Sequence, residues 1–308
     1  MQLAIDALLP VFLVITVGFG IQRAGLMTEP MWEGLERITY YVLFPILLTE
    51  TLAGADFAGV PVVEMGVAML LAVITMTLIL LALRPLVMNV WGLGGPTYTS
   101  FFQGGVRWHT FVGLAVVGNL FGTQGIALAS VAAAAMIPYL NVVAALVLAR
   151  WASPKRPTAV GLLVGLAKNP FIWSSALGIA LNVLSIPIWS PVMTAADLIG
   201  RATLGISLLL VGAGLRIPES LSPRREVLLA IALKLGLMPV LMAGWCTVFG
   251  VTGVAFKAAV ICGGVQTAAN SYILARQMGG DAPLMASIIT MQTLAAIGTL
   301  PIVLWVLG

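Results

Sequence analysis

Ten apolar stretches of about twenty residues, each closed by glycine, proline or charge, decide what this chain of 308 residues can fold into. They run over 4–22, 32–53, 64–83, 98–121, 126–149, 170–188, 194–215, 227–248, 254–276 and 283–306. A helix of about twenty apolar residues crosses the hydrocarbon layer of a bilayer. The stretches are continuously apolar rather than alternating, which excludes an outer-membrane barrel. Helices then remain as the way to satisfy backbone groups in lipid. The expected fold class is therefore all-α, a polytopic membrane protein of ten transmembrane helices. Composition agrees: 60% of residues are hydrophobic and 8% charged, against about 25% charged in soluble domains. A soluble enzyme, a nucleic-acid binder and a disordered scaffold are excluded. A single-pass receptor is excluded too, since no segment is polar and long enough to form a separate aqueous domain.

Charge sets the orientation. With the N-terminus outside, Arg23, Arg37, Arg84, Arg150, Lys155, Arg156, Lys168, Arg216, Arg224, Arg225 and Arg276 fall on the cytoplasmic side, and Lys257 alone on the other. Arg107, Arg201 and Lys234 lie within spans. The positive-inside rule thus predicts a multi-pass protein of the cytoplasmic (inner) membrane with both termini outside. It also accounts for the net charge of +4 without a nucleic-acid partner. The first apolar run has no basic residue before it and carries Asp6, so it is expected to persist as a span rather than be removed as a signal peptide. Cys246 and Cys262 fall in apolar runs and read as packing residues.

The chain also matches itself at an offset near 160. Pro10-Val11-Phe12 and Gly18 recur as Pro170-Phe171-Ile172 and Gly178. Gly104-Gly105-Val106-Arg107 recurs as Gly263-Gly264-Val265-Gln266, and Ala129-Ser130-Val131 as Ala286-Ser287-Ile288. The matches divide the chain into a first five-helix repeat, 1–155, and a second, 156–308. Five crossings are odd in number, so the second copy enters the bilayer from the opposite side. Secondary transporters use this inverted layout and hold substrate at mid-depth, where corresponding interrupted helices meet. The glycine pairs mark helices 4 and 9 as the interrupted ones, each glycine weakening a helix by up to about 1 kcal/mol relative to alanine. They either admit a substrate or another backbone, or simply permit tight helix packing.

Polar residues follow both pairs. Arg107, His109 and Thr110 stand in helix 4; Gln266, Thr267, Asn270, Ser271 and Tyr272 stand in helix 9. A guanidinium facing neutral amides and hydroxyls suits an anion, above all a carboxylate. Freed helix N-termini would add positive potential. Arg107 could instead be structural, bonded to backbone carbonyls at the break. His109 either carries a proton in coupling or is a neutral, hydrogen-bonded side chain. Lys234 either snorkels to the interface or adds charge to the cavity. Asp197 and Arg201 read as a helix-surface ion pair, and Asn141 and Gln292 as interhelical hydrogen-bonders. No acidic residue stands near mid-depth. The single histidine excludes a histidine-based zinc protease site, and the absence of a phosphate-binding loop argues against ATP-driven transport by this chain alone. No catalytic set, metal-ligand set or cofactor is expected.

These features in this order resemble the auxin efflux carrier family in its short bacterial form. The carrying segments are Leu9-Pro10-Val11-Phe12 through Gly18, Arg23-Ala24-Gly25-Leu26, Tyr41-Val42-Leu43-Phe44-Pro45, Gln103 through Gly113, Lys168-Asn169-Pro170, Val211-Gly212-Ala213-Gly214-Leu215 and Ala275-Arg276-Gln277-Met278-Gly279-Gly280-Asp281. The resemblance implies two inverted five-helix repeats with broken helices 4 and 9 crossing at the substrate site. It implies a scaffold of helices 1, 2, 6 and 7, a moving part made of the rest, a homodimer, and small organic anions as substrates. Two departures stand out: Gln266-Thr267-Ala268-Ala269 lacks the two prolines frequent in the family, and His109 replaces a frequent asparagine. The expected function is a secondary transporter of a small organic anion working by alternating access, possible proton coupling resting on His109 or Lys234. Substrate contacts would come from Arg107, His109, Thr110, Gln266, Thr267, Asn270 and Tyr272. A non-transporting sensor or a channel on the same scaffold is the alternative.

Overall fold

Proline and glycine set the helix boundaries. The computed structural model describes residues 2–57, 59–153, 158–215 and 224–307, and among these there is helix and no strand. Fourteen helices follow in order: α1 Gln2–Arg23, α2 Glu29–Ile38, α3 Phe44–Ala53, α4 Val62–Ala82, α5 Gly95–Val106, α6 Thr110–Trp151, α7 Ala159–Ala167, α8 Pro170–Val183, α9 Ser190–Ala213, α10 Arg225–Ile231, α11 Met238–Val248, α12 Gly253–Gly264, α13 Asn270–Met278 and α14 Ala282–Leu307. Seven of them (α2, α3, α5, α8, α9, α11 and α14) have proline at the first or second position, where its missing N–H costs nothing.

Two of those prolines are internal to longer continuous helices. Pro45 follows a π-helical turn at Thr39–Leu43, and Pro239 follows one at Ala232–Leu237. A proline ring collides with the carbonyl four residues earlier, here those of Tyr41 and Leu235. Both lie inside the widened turns, which make room for the ring and let α2 run into α3 and α10 into α11. A third such turn, Leu86–Val90, follows Pro85.

The 42-residue α6 is two helices folded back on themselves at Gly122, whose φ of 62° and ψ of −145° suit glycine. The reversal is tight. A Cβ on Gly125 would lie 2.2 Å from the carbonyl oxygen of Val117, a contact no straight helix could bring about. The fourth and fifth predicted stretches therefore form one hairpin.

Each of the ten predicted stretches is helical, with adjustments at breaks and ends. The fourth is interrupted at 107–109 and the ninth at 265–269. The third continues to Val90, and the sixth ends at Val183 rather than 188. Among the described residues, five helical stretches are long and apolar enough to cross a bilayer: Val62–Val90, Gly95–Trp151 (with its break and reversal), Ser190–Ala213, Arg225–Val248 and Ala282–Val306. Shorter apolar helices accompany them at Leu8–Arg23, Pro170–Val183 and Gly253–Gly264. Leu13, Val63, Leu78, Val90, Leu198 and Trp305 are among many large apolar residues left exposed. Water-soluble monomers seldom carry so much apolar surface, and lipid covers it here. Lys155, Arg156 and Arg216 of the basic side, and the boundary at 155, lie outside the described residues.

Packing divides the helices into two groups. α1 lies along α9, and α3 along both α8 and α9; α4, α5, α10, α11, α12 and α14 pack among themselves and on α6. The α6 hairpin also touches α1, α3, α8 and α9, so it forms most of the seam between the groups, completed where α1 meets α14. Lys234 and Gln292 are wholly enclosed within the second group.

Candidate anion site at two broken helices

α5 and α12 each have 12 residues and begin at Gly95 and Gly253, an offset of 158. Their final caps share one conformation: Arg107 has φ −76° and ψ 152°, Val265 φ −75° and ψ 155°. At 1.5 Å per residue each spans about 18 Å, a little more than half the hydrocarbon layer. The structural register sets Gly105 opposite Gly263, one residue away from the pairing that the sequence match suggests. Four glycines close the two half-helices, and they serve packing. Added Cβ atoms would lie 2.7 Å from Ile288 at Gly104, 2.8 Å from Leu80 at Gly105 and 2.5 Å from Met242 at Gly263.

The two breaks touch. Thr267 Oγ1 donates to the carbonyl of Gly104 at 2.9 Å and lies 3.4 Å from that of Arg107. Gln292 completes the junction: its Oε1 accepts from Thr267 N at 2.9 Å, and its Nε2 donates to the carbonyls of Gly104 at 2.8 Å and Ala230 at 3.2 Å. One amide thus ties together three backbone groups at the crossing, in an apolar interior where an unpaired group is costly. The expectation of an interhelical role for Gln292 is met.

Arg107 comes next along the chain. Its side chain is 6% exposed, and Nη2 donates to Asn141 Oδ1 at 3.2 Å and Asn270 Oδ1 at 3.1 Å. Side-chain amides, not backbone carbonyls, hold it. Nη1 has no hydrogen-bond partner among the described residues, and no carboxylate pairs with the guanidinium there. A charged group placed in this way at a helix centre costs about 2.5–3.5 kcal/mol or more, so a bound anion would relieve a real deficit.

A cavity of about 120 Å³ opens beside it, lined by Arg107, His109, Thr110, Asn141, Asn270 and Glu36 among others. The first residues of α6 and α13, Thr110 and Asn270, are both in its wall, so two positive helix ends face the same space. His109 is buried, with neither ring nitrogen hydrogen-bonded among the described residues. Its ring stands edge-on to Phe111 at 5.6 Å. The hydrogen bonds considered for a neutral histidine here are not made among the described residues.

Of the residues expected to contact substrate, Arg107, His109, Thr110 and Asn270 share the cavity, whereas Gln266, Thr267 and Tyr272 do not. The Thr267 hydroxyl is occupied at the crossing. Gln266 is buried one residue earlier, outside the cavity lining, with neither amide atom hydrogen-bonded among the described residues. Tyr272 is half-buried on α13, under the guanidinium of Arg276 at 5.9 Å. Lys234 neither snorkels nor lines the cavity: it is fully buried, and Nζ donates to the Gly263 carbonyl at 2.6 Å. Asp197 and Arg201 pair at 2.9 Å on the surface, as expected.

Sequence reasoning missed Glu36, Tyr40 and Asn169 in the cavity wall. Glu36, exposed on α2, adds a carboxylate to the cavity wall. Asn169 caps α8, its Oδ1 accepting from Phe171 N at 3.0 Å, and the Asn-Pro pair was the available signal for it.

A wider open cleft of about 920 Å³ lies along the same seam, beyond the Gly122 end of the α6 hairpin, with Glu50, Asp56, Asp197 and Arg201 on its walls. Phe44, Phe111 and Phe171 pack between it and the small cavity.

Comparison with known proteins adds one match. The family model described as "Membrane transport protein" aligns with residues 3–304. No curated protein matches the chain.

Proposed function

Because the chain belongs to the membrane transport protein family that includes the auxin efflux carriers, we propose that it is a secondary carrier moving a small organic anion, a carboxylate, by alternating access. The observation that carries this reading is the Nη1 of Arg107, buried without a partner beside two helix N-termini. A carboxylate accepts well from a guanidinium, and charge-assisted hydrogen bonds are roughly twice as strong as neutral ones. The cavity volume of about 120 Å³ is well below the roughly 300–1,000 Å³ of drug-sized pockets and favours a substrate of a few heavy atoms.

The matched half-helices α5 and α12 support an inverted pair of five-helix repeats divided near residue 155, and with it ten crossings and both termini outside the inner membrane. The separate packing of α1, α3, α8 and α9 supports a fixed part against which the remainder moves. Within the site, Arg107 holds the carboxylate, Asn270 and Thr110 orient it, and His109 and Glu36 are the groups in the wall able to exchange a proton with it.

The test is uptake of radiolabelled small mono- and dicarboxylates into proteoliposomes, with saturable counterflow as the mark of a carrier. Arg107→Ala is expected to lower uptake at least about tenfold, consistent with the 1.5–3 kcal/mol of a hydrogen bond to a charged group. A folded Arg107→Ala protein transporting at the wild-type rate would remove this site from the mechanism. Flux that never saturates would replace the carrier with a channel.

A further inference from the structure

Two helices end in the interior of the second group, and each presents the negative end of its dipole there. The end of α5 is capped by neutral groups, the Thr267 hydroxyl and the Gln292 amide on the carbonyl of Gly104. The end of α12 is capped by an ammonium: Lys234 Nζ donates to the Gly263 carbonyl at 2.6 Å. The lysine is 0% exposed, no carboxylate pairs with it among the described residues, and it projects from the π-helical turn Ala232–Leu237. Local π-helix is frequent at functional positions.

A buried charge with no counter-charge is expensive, so what it faces should repay it. Here it faces a carbonyl of the last turn of a broken helix, where several backbone oxygens lack intrahelical donors. In secondary transporters with interrupted helices, half-helix C-terminal ends and unwound carbonyls coordinate a free coupling cation. We propose that the Lys234 ammonium is a tethered cation occupying such a seat at the end of α12. The half-helix is thereby held in its interrupted form by a charge the chain carries itself, with no free sodium or potassium ion bound at that end. Lys234 acts through the Gly263 carbonyl and touches no substrate, so it is a positioning residue. The inference needs neither Arg107 nor any particular anion, and its failure would leave the proposed substrate site standing.

The test vacates the seat and refills it. Lys234→Ala removes four side-chain heavy atoms, the number in propylammonium. Purified Lys234→Ala protein in detergent is expected to show a saturable rise in unfolding temperature with propylammonium chloride, roughly 5 °C at a hundredfold excess over Kd. Choline, too bulky for the seat, controls for ionic strength and should give no rise. Wild type and Lys234→Met, whose seats are filled, should not respond. If Lys234→Ala cannot be recovered folded, Lys234→Arg and Lys234→Met decide: the arginine should restore folded yield and the isosteric neutral methionine should not. A Lys234→Met protein as stable as wild type, or a Lys234→Ala protein indifferent to propylammonium, overturns the proposal.

Discussion

The rings of Phe44 and Phe111 lie face to face where α3 meets the α6 hairpin, 4.1 Å between centroids and 11° between planes. Phe171 lies against both, at 5.3 and 6.2 Å. One turn from Phe44 along the chain, Tyr40 lines the small cavity; in the other direction Leu47 lines the wide cleft. The stack thus separates the two spaces. An aromatic pair contributes about 0.5–1.5 kcal/mol beyond its buried area, so truncation should open the passage without unfolding the bundle. In a His109→Cys background, Phe44→Ala is expected to speed labelling by a membrane-impermeant thiol reagent by up to about tenfold. Cys246 and Cys262 are buried and give a low background. An unchanged labelling rate would mean the route runs elsewhere.

Asn270 offers the guanidinium of Arg107 a neutral oxygen at 3.1 Å. Asn270→Asp would place a carboxylate there, the very group the site is read as accepting from outside. The expected result is a protein at least as heat-stable as wild type, because the buried charge is now paired. Its thermal shift with carboxylates should vanish. Asn270→Ala should keep the shift, weakened by about 1 kcal/mol for the lost orienting bond. Equal responses from the two variants would contradict the assignment.

Gln292 serves three backbone groups at once, and Gln292→Leu conserves volume while removing all three bonds, the Gly104 carbonyl alone keeping another donor, the Thr267 hydroxyl. Each buried group without a partner costs about 1–3 kcal/mol, so the variant should unfold many degrees lower, by circular dichroism in detergent. Gln292→Glu should fall between, since a carboxylate still accepts from Thr267 N but repels the carbonyls of Gly104 and Ala230. A Gln292→Leu protein melting with wild type would show that the crossing is held by packing alone.

At Gly125 a methyl group would meet the Val117 carbonyl at 2.2 Å, and that oxygen belongs to backbone that cannot swing aside. Gly125→Ala should therefore force the α6 hairpin apart and reduce the monodisperse fraction in size-exclusion chromatography. At Gly20, where an added Cβ meets nothing within 4 Å, alanine is expected to leave the elution profile unchanged.

What could be read from the residues follows from how much each property depends on distant neighbours. Apolar length is local, and so is the cost of an arginine in lipid; the helical stretches and Arg107 were legible for that reason. The hydroxyl of Thr267 is not local in this sense. It is spent on a carbonyl 163 residues away, and its type alone cannot distinguish that from binding an anion. Gln266 was misjudged because the cavity wall takes up this segment only from Ala268 onward. Glu36 stands near the start of an apolar run, where a carboxylate passes for a boundary charge, and only the packing of distant helices makes it part of a cavity wall. The glycine pairs suggested room for a ligand; the room is filled by Ile288, Leu80 and Met242.

Arg107, His109, Thr110 and Asn141 belong to one folded-back stretch of chain, and Asn270 is hydrogen-bonded to it through the guanidinium. In the proposed carrier, a displacement of that unit past α3 and α8 would carry these five side chains together, and what they supply to the grip on a passenger would be the same at either end of the journey. A device with equal affinity on both faces has no built-in sense of import or export. Net direction would then be dictated by solute gradients and the electrical potential, and one protein could fill or drain the cell as those reverse.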